Sequence, residues 1–212
     1  MAINPRPVLP NKNTLYLARS GGGKSQALGQ NREIPRSGVR VILWDKSHDH
    51  KAHHYDNKNG FLKALMAGLE SGKGFRIAYS GGVGVDDFEW WCRCVWFSLD
   101  GNQMTYVVAE ELSEVCVSVA KASPEAARLL NQGRKFGMRF HGTSQNPEEI
   151  SKTFYKQCPY KWIGPQVGDN IRFFAKMMGV AEQDIKSLQD LNFWLWDGRE
   201  PIRKTLKGRK IN

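Results

Sequence analysis

The feature that most restricts the fold of this chain is a glycine-rich stretch near its N-terminus, residues 18–25, which reads ARSGGGKS. Three successive glycines let the backbone curl so closely around an anion that side chains at these positions would block the approach. In nucleotide-binding loops of this form, the lysine reaches the β- and γ-phosphates and the following hydroxyl ligates Mg²⁺. Ala18 replaces the leading glycine of the strict motif, which weakens the match only slightly.

The neighbouring sequence supplies the context that such a loop requires. The short apolar run Thr14–Leu17 precedes it and a helical stretch begins at Lys24, which together predict strand, loop and helix. We therefore expect ATP to bind at Ser20, Gly21, Gly22, Gly23, Lys24, Ser25 and Gln26, with Lys24 also catalytic. Residues 67–74 have Lys73 at the same spacing but end in glycine and follow a helix, so we interpret them as an ordinary loop.

A second segment, residues 106–111, consists of an apolar run that ends in two carboxylates. A nucleotide hydrolase needs an acid to hold the metal and its water shell, and often a base to orient the attacking water. We predict that Glu110, with Ser25, binds the metal and that Glu111 is the base. Paired acids also begin many helices, but the position some 80 residues after the loop favours the functional interpretation.

Strand-like and helix-like segments alternate along most of the chain, which predicts an α/β fold with a mostly parallel central sheet and helices on both faces. The strands are expected at residues 14–17, 39–44, 75–79, 104–109, 138–143 and 160–163, and helices at 60–69, 86–99, 124–134, 147–158 and 171–178. Residues 193–196, followed by Asp197 and Gly198, indicate a β-hairpin, so a small helix and hairpin extend the C-terminal end. We divide the chain into an extended arm (1–13), an ATPase domain (14–198) and a basic tail (199–212).

The charge of the chain suggests its partners. The net charge is +10 and the pI is about 9.5, which gives a positive field that attracts phosphate polymers. The last 14 residues contain six cations, Arg199, Arg203, Lys204, Lys207, Arg209 and Lys210. Because no apolar run approaches the ~18 residues of a membrane span, we expect a soluble protein made in a cytoplasm.

Residues 134–147, which read RKFGMRFHGTSQNP, resemble the sensor strand of the FtsK-HerA superfamily of DNA-pumping ATPases. In that family an arginine precedes a strand that ends in Thr-x-Gln, with a proline just beyond. The run 39–44, ending in Asp45 and Lys46, is similar to the family's second strand. The resemblance implies a three-layer, RecA/FtsK-like P-loop fold and a ring in which Gln145 senses the γ-phosphate. It also implies that Arg134, or alternatively Arg139, acts as an arginine finger on a neighbouring subunit.

The short layout, with the phosphate loop starting at residue 18, resembles the genome-packaging ATPases of viruses with internal membranes, such as tectiviruses and corticoviruses. This resemblance implies a hexameric or pentameric motor that uses ATP and Mg²⁺ to move double-stranded DNA into a preformed capsid. It would contact DNA phosphates and capsid or packaging-vertex proteins, in the host cytoplasm during assembly or on the virion. A filamentous-phage-type assembly ATPase, a small-molecule nucleotide kinase and a non-hydrolysing, ATP-gated DNA- or capsid-binding module remain alternatives.

Four histidines, His48, His50, His53 and His54, crowd a polar segment that also contains Asp45, Asp49 and Asp56. Imidazole and carboxylate groups could bind zinc, but this spacing fits no standard zinc site. We interpret the segment as a loop that faces phosphate or DNA.

Overall fold

The computed structural model describes residues 2–208 and is built around one β-sheet. Within these residues the strands are β1 (Thr14–Leu17), β2 (Arg40–Trp44), β3 (His53–Tyr55), β4 (Phe75–Tyr79), β5 (Thr105–Ala109), β6 (Met138–Ser144), β7 (Tyr160–Ile163), β8 (Asn192–Trp196) and β9 (Pro201–Thr205). The helices are α1 (Lys24–Gln30), α2 (Lys58–Glu70), α3 (Gly84–Ser98), α4 (Pro124–Gln132), α5 (Lys152–Gln157), α6 (Asp169–Met178) and α7 (Glu182–Lys186).

The strand order across the sheet is β3-β4-β2-β5-β6-β1-β7-β8-β9. All strands from β3 to β7 in this order are parallel, whereas β8 pairs antiparallel with both β7 and β9. The predicted α/β fold with a mostly parallel sheet is therefore confirmed. Because β2, β5, β6 and β1 are consecutive parallel neighbours, the loops that follow these strands meet at the carboxyl-terminal end of the sheet.

The sheet is buried on both faces, as the apolar strands predicted. Alternate residues of each strand join two different clusters: Leu15 and Leu17 pack on one face, while Tyr16 packs on the other. The first face is covered by α2 to α7, whereas the second is covered by α1, through Ala27 and Leu28, and by the C-terminal segment. No helix within residues 2–208 combines the length and the apolarity that crossing a membrane would require.

Two helix predictions were wrong in detail. The helix expected from residue 147 to residue 158 is split into a 3-10 turn, Pro147–Glu149, and α5. Ile150 is extended, and the Ser151 N–H bonds to Cys116 Sγ instead of to a helical carbonyl. Helix α3 begins at Gly84, before the aspartates that were expected to cap it, and the Asp87 carboxylate accepts the Val83 N–H instead.

The C-terminal hairpin was predicted, but it crosses the expected boundary between the domain and the basic tail at residues 198 and 199. Strand β9 pairs along its whole length with β8, so Pro201–Thr205 is the edge of the sheet and not a free tail. Arg209 and Lys210, which the tail prediction also included, lie outside the described residues. The N-terminal arm, described from residue 2, has no helix or strand before β1 and makes a turn at Pro7 and Val8.

His141, in the middle of the sheet on β6, predicts a specific pH dependence of stability. Its ring is fully buried, with Nδ1 3.1 Å from the Tyr16 hydroxyl, and burial together with the Arg139 charge lowers its pKa from 6.5 to about 3. The unfolded chain therefore takes up a proton below pH 6.5 that the folded protein excludes, so stability falls as the pH drops from 6.5 toward 3. At pH 5 this loss is about 2 kcal/mol.

We expect His141→Gln, which can still accept the Tyr16 hydroxyl hydrogen, to lose less stability between pH 7.5 and pH 5 than the wild type. Urea unfolding at the two pH values measures this difference. The exposed His53→Gln change is the control and should leave the pH dependence unchanged. Equal losses in the wild type and His141→Gln would contradict the assignment.

Candidate nucleotide-binding site

The phosphate loop lies between the carboxyl end of β1 and the start of α1, where the sequence placed it. Gly21 and Gly23 have φ angles of 73° and 97°, a left-handed conformation that residues with a side chain rarely adopt. A Cβ on Gly22 would lie 3.0 Å from Ala18 Cβ and 3.1 Å from Arg19 O. The three glycines are therefore required by both the curvature of this loop and its close packing.

Lys24 extends back over the loop that precedes it. Its Nζ donates to Ala18 O at 3.1 Å and to Arg19 O at 3.4 Å. Burial lowers the pKa of this ammonium group, and the carboxylates of Glu111, Glu110 and Asp49 oppose that shift. The side chain is thus a cation held at the loop and surrounded by the acidic groups of the site.

A cavity of about 420 Å³ opens beside the loop at the carboxyl-terminal end of the parallel strands. It is lined by Ser20, Gly21, Gly23, Lys24, Ser25, Gln26, Lys46, Ser47, Asp49, Glu110, Glu111, Glu114, Thr143 and Gln145. Every residue that the sequence assigned to the site lines this cavity except Gly22, which lies within the loop itself, and the two candidate arginines, Arg134 and Arg139. The structure therefore brings together residues as far apart in the chain as Ser20 and Gln145, 125 positions from each other.

Glu111 directly links the end of β5 to the end of β6. Its Oε1 accepts the Gln145 N–H at 3.0 Å and the Ser113 hydroxyl at 2.8 Å, and its own N–H bonds to Thr143 Oγ1 at 3.1 Å. Glu111 also has a φ of 48°, a strained conformation for a residue with a side chain that is typical of functional sites. The predicted base and the predicted γ-phosphate sensor are thus in direct contact.

Glu110 is paired with His50, whose Nε2 lies 2.7 Å from Glu110 Oε1, and both side chains are nearly buried. Burial raises the pKa of Glu110, with a further contribution from Asp45 and Asp49, although the bond from His50 opposes it. Burial alone would lower the pKa of His50, but its bond to Glu110 and the nearby acids raise it. Of the two, Glu110 lines the cavity, so His50 contacts the site through its bond to this carboxylate.

The loop after β2 is fixed by the fully buried Asp45. Its two carboxylate oxygens accept the backbone N–H groups of Asp49 and His50, each at 3.0 Å. This loop places Lys46, Ser47 and Asp49 on the cavity, roles that we did not assign from the sequence. Their position after a buried parallel strand could have indicated these roles, because the carboxyl ends of parallel strands lie together at one end of the sheet.

The histidine-rich segment does not form a zinc centre in the described part of the chain. His48 and His54 stack with ring centroids 4.1 Å apart, and His54 Nδ1 lies 2.9 Å from Ser80 Oγ. Within residues 2–208, no group of three or more histidine, cysteine or acidic side chains is arranged to hold a metal ion.

The donors around Ser25 do suit Mg²⁺, which keeps several waters and is bound in nucleotide sites by one or two carboxylates plus the substrate phosphates. Ser25 Oγ lies 3.4 Å from Asp49 Oδ2, and the carboxylates of Glu110 and Glu111 line the same cavity. All of these are oxygen donors. Asp49 is thus a further candidate ligand, besides the predicted Ser25 and Glu110.

The two predicted arginines lie away from the cavity of their own chain. Arg134 precedes β6, at the amino-terminal end of the parallel strands. There its guanidinium donates to the carbonyl oxygens of Pro7 and Leu9 in the N-terminal arm. Arg139 Nη1 lies 3.2 Å from Glu33 Oε2.

Comparisons with known proteins agree with this architecture, although no protein-family model matches the chain. The chain is 30% identical over 205 residues to protein P9 of Pseudoalteromonas phage PM2, an alignment that covers 93% of this chain and 91% of P9. The genome packaging NTPase B204 from Sulfolobus turreted icosahedral virus 2, solved in complex with AMPPCP, matches with a TM-score of 0.74 and 17% identity, over 95% of this chain and 99% of B204. VirB4 of Thermoanaerobacter pseudethanolicus matches with a TM-score of 0.62 and 12% identity, over 94% and 90%. The chain belongs to the family of phage PM2 protein P9, and its fold is the P-loop NTPase fold of B204 and VirB4.

Proposed function

We propose that this protein is an ATPase that drives double-stranded DNA into a viral capsid. The observation that carries the proposal is the convergence of the phosphate loop, Glu110, Glu111 and Gln145 on one cavity. The family relationship to a phage protein and the fold shared with a genome packaging NTPase support the viral setting.

In the proposed reaction, the amides of the phosphate loop cradle the β- and γ-phosphates, and Lys24 offsets the negative charge that develops on the transferred phosphoryl group. Glu111 orients the attacking water and accepts its proton. Gln145, whose N–H is bonded to Glu111 Oε1, contacts the γ-phosphate and links its presence to β6. Ser25 and Glu110, with Asp49 as a further candidate, would hold Mg²⁺, which supplies charge neutralisation at the phosphates.

The proposal includes a ring of five or six subunits. Because neither Arg134 nor Arg139 lines the cavity of its own chain, either could act as an arginine finger only at the cavity of a neighbouring subunit. Native mass spectrometry at the ionic strength of the activity assay measures the number of subunits.

DNA is the proposed substrate because the chain carries a net charge of +10. Contacts of cations with phosphates carry no sequence information, so a motor that moves a whole genome would bind all sequences alike. We further propose that the ring acts during assembly in the host cytoplasm and contacts capsid proteins at the packaging vertex.

ATP hydrolysis with and without double-stranded DNA tests this function. We expect DNA of any sequence to stimulate hydrolysis, and the stimulation to weaken as salt rises because phosphate contacts release counterions. Turnover that ignores DNA but requires a nucleoside monophosphate would instead identify a nucleotide kinase. ATP binding without turnover, even for assembled rings with DNA, would leave only a binding module.

A further inference from the structure

A turn in the C-terminal extension packs directly on the phosphate loop. It lies between α7 and β8 and contains Asp190 and Leu191. The Leu191 N–H donates to Gly22 O at 3.3 Å, and the Arg19 guanidinium pairs with Asp190 at 2.8 Å. A Cβ on Gly23 would lie only 2.8 Å from Leu191 Cδ2. Segments about 170 residues apart thus meet at the loop that would hold the phosphates.

The bond to Gly22 O determines the orientation of one peptide group. A trans peptide is planar, so the carbonyl of Gly22 and the N–H of Gly23 belong to one rigid unit and point in opposite directions. Since the Gly22 carbonyl points toward the Leu191 N–H, the Gly23 N–H points away from Leu191. Gly23 lines the cavity, where an inward N–H is a donor for a phosphate oxygen.

Leu191 makes this contact from an unusual backbone conformation. Its φ is 65°, in the left-handed region that a leucine rarely occupies. The conformation is held from several sides, because Leu191 O also accepts the Leu206 N–H at 2.8 Å and the Asn192 N–H bonds to Gln189 O at 3.1 Å. Strained residues of this kind persist where the surrounding structure fixes them, and they concentrate at functional sites.

We infer that Leu191 is a positioning residue for the phosphate-binding site. Its left-handed backbone presents the N–H that holds the Gly22–Gly23 peptide with its amide facing the phosphates. The inference rests on the proposed function, because it requires that the loop bind a nucleotide. It assigns the C-terminal extension a part in that site.

Two substitutions at this position separate the backbone role from simple apolar packing. Leu191→Asn keeps a residue that tolerates the left-handed conformation but loses the apolar side chain, whereas Leu191→Val stays apolar but is β-branched and resists that conformation. We expect Leu191→Val to weaken the binding of inorganic tripolyphosphate by about five- to tenfold, the equivalent of one hydrogen bond. Leu191→Asn should bind within about twofold of the wild type, since it retains that bond.

Isothermal titration calorimetry with tripolyphosphate measures these affinities, and urea unfolding of the same proteins reports stability. Leu188→Ala is the matched control: it removes a buried side chain from the segment joining α7 to β8 and should lower stability without changing the affinity. Weaker binding by Leu191→Asn than by Leu191→Val, or equal binding by both, would overturn the inference while the proposed function stands. A wild-type protein that binds neither ATP nor tripolyphosphate would overturn both.

Discussion

Lys24→Ala should reduce ATP hydrolysis by at least about 100-fold, the usual cost of removing one donor that stabilises the charge of a transition state. The change should leave the fold nearly unaffected, because the hydrogen bonds of Lys24 Nζ go to the loop carbonyls of Ala18 and Arg19. A steady-state assay of phosphate release with and without DNA measures the loss. Far-ultraviolet circular dichroism and the urea midpoint check that the variant remains folded.

The sequence offers a matched control for this change. Lys73 follows a glycine in a stretch with the same lysine spacing, but it lies exposed beyond the end of α2. Lys73→Ala should therefore hydrolyse ATP at the wild-type rate. Equal losses from both substitutions would mean that Lys24 acts only through the overall charge of the protein.

Glu111→Gln should separate ATP binding from hydrolysis. The amide oxygen of glutamine can still accept the Gln145 N–H and the Ser113 hydroxyl hydrogen, so the link between β5 and β6 is kept. A glutamine cannot accept the proton of the attacking water, which should slow hydrolysis by about 10²- to 10⁴-fold. ATP affinity from calorimetry and single-turnover hydrolysis distinguish the two steps.

Glu114→Gln is the control for Glu111, because Glu114 also lines the cavity but is an exposed residue paired with Lys46 at 2.7 Å. We expect little change in its single-turnover rate, since exposed ion pairs contribute little. If Glu111→Gln hydrolyses ATP as fast as Glu114→Gln, Glu111 is not the base. If Glu111→Gln loses ATP binding as well, its role is to hold the site together.

The elements that could be predicted are those that local pattern specifies. Strands β1 and β4 match their predicted bounds because each is an apolar run closed by a turn, and the phosphate loop follows from its glycines. The parallel sheet follows from the alternation of strands and helices. Glu110 and Glu111 were assigned from their position after an apolar run, and Gln145 from the resemblance to the FtsK-HerA superfamily; all three line the same cavity as the loop.

Contacts between distant segments could not be predicted. The bond between His50 and Glu110 joins residues 60 positions apart, and the Leu191 contact with the phosphate loop spans about 170 positions. Neither leaves a periodic or spacing signal. Strand β3 was missed because His53–Tyr55 is a short, polar strand at the edge of the sheet, where burial imposes no apolar pattern.

DNA movement driven by ATP is the central claim, and displacement of a third strand from a DNA triplex measures it directly. A protein that translocates along the duplex strips the third strand as it passes. We predict that the wild-type ring releases the third strand when ATP is supplied, that Lys24→Ala does not, and that a non-hydrolysable ATP analogue does not support release. Wild-type rings that hydrolyse ATP in the presence of this DNA while the third strand stays bound would contradict the account.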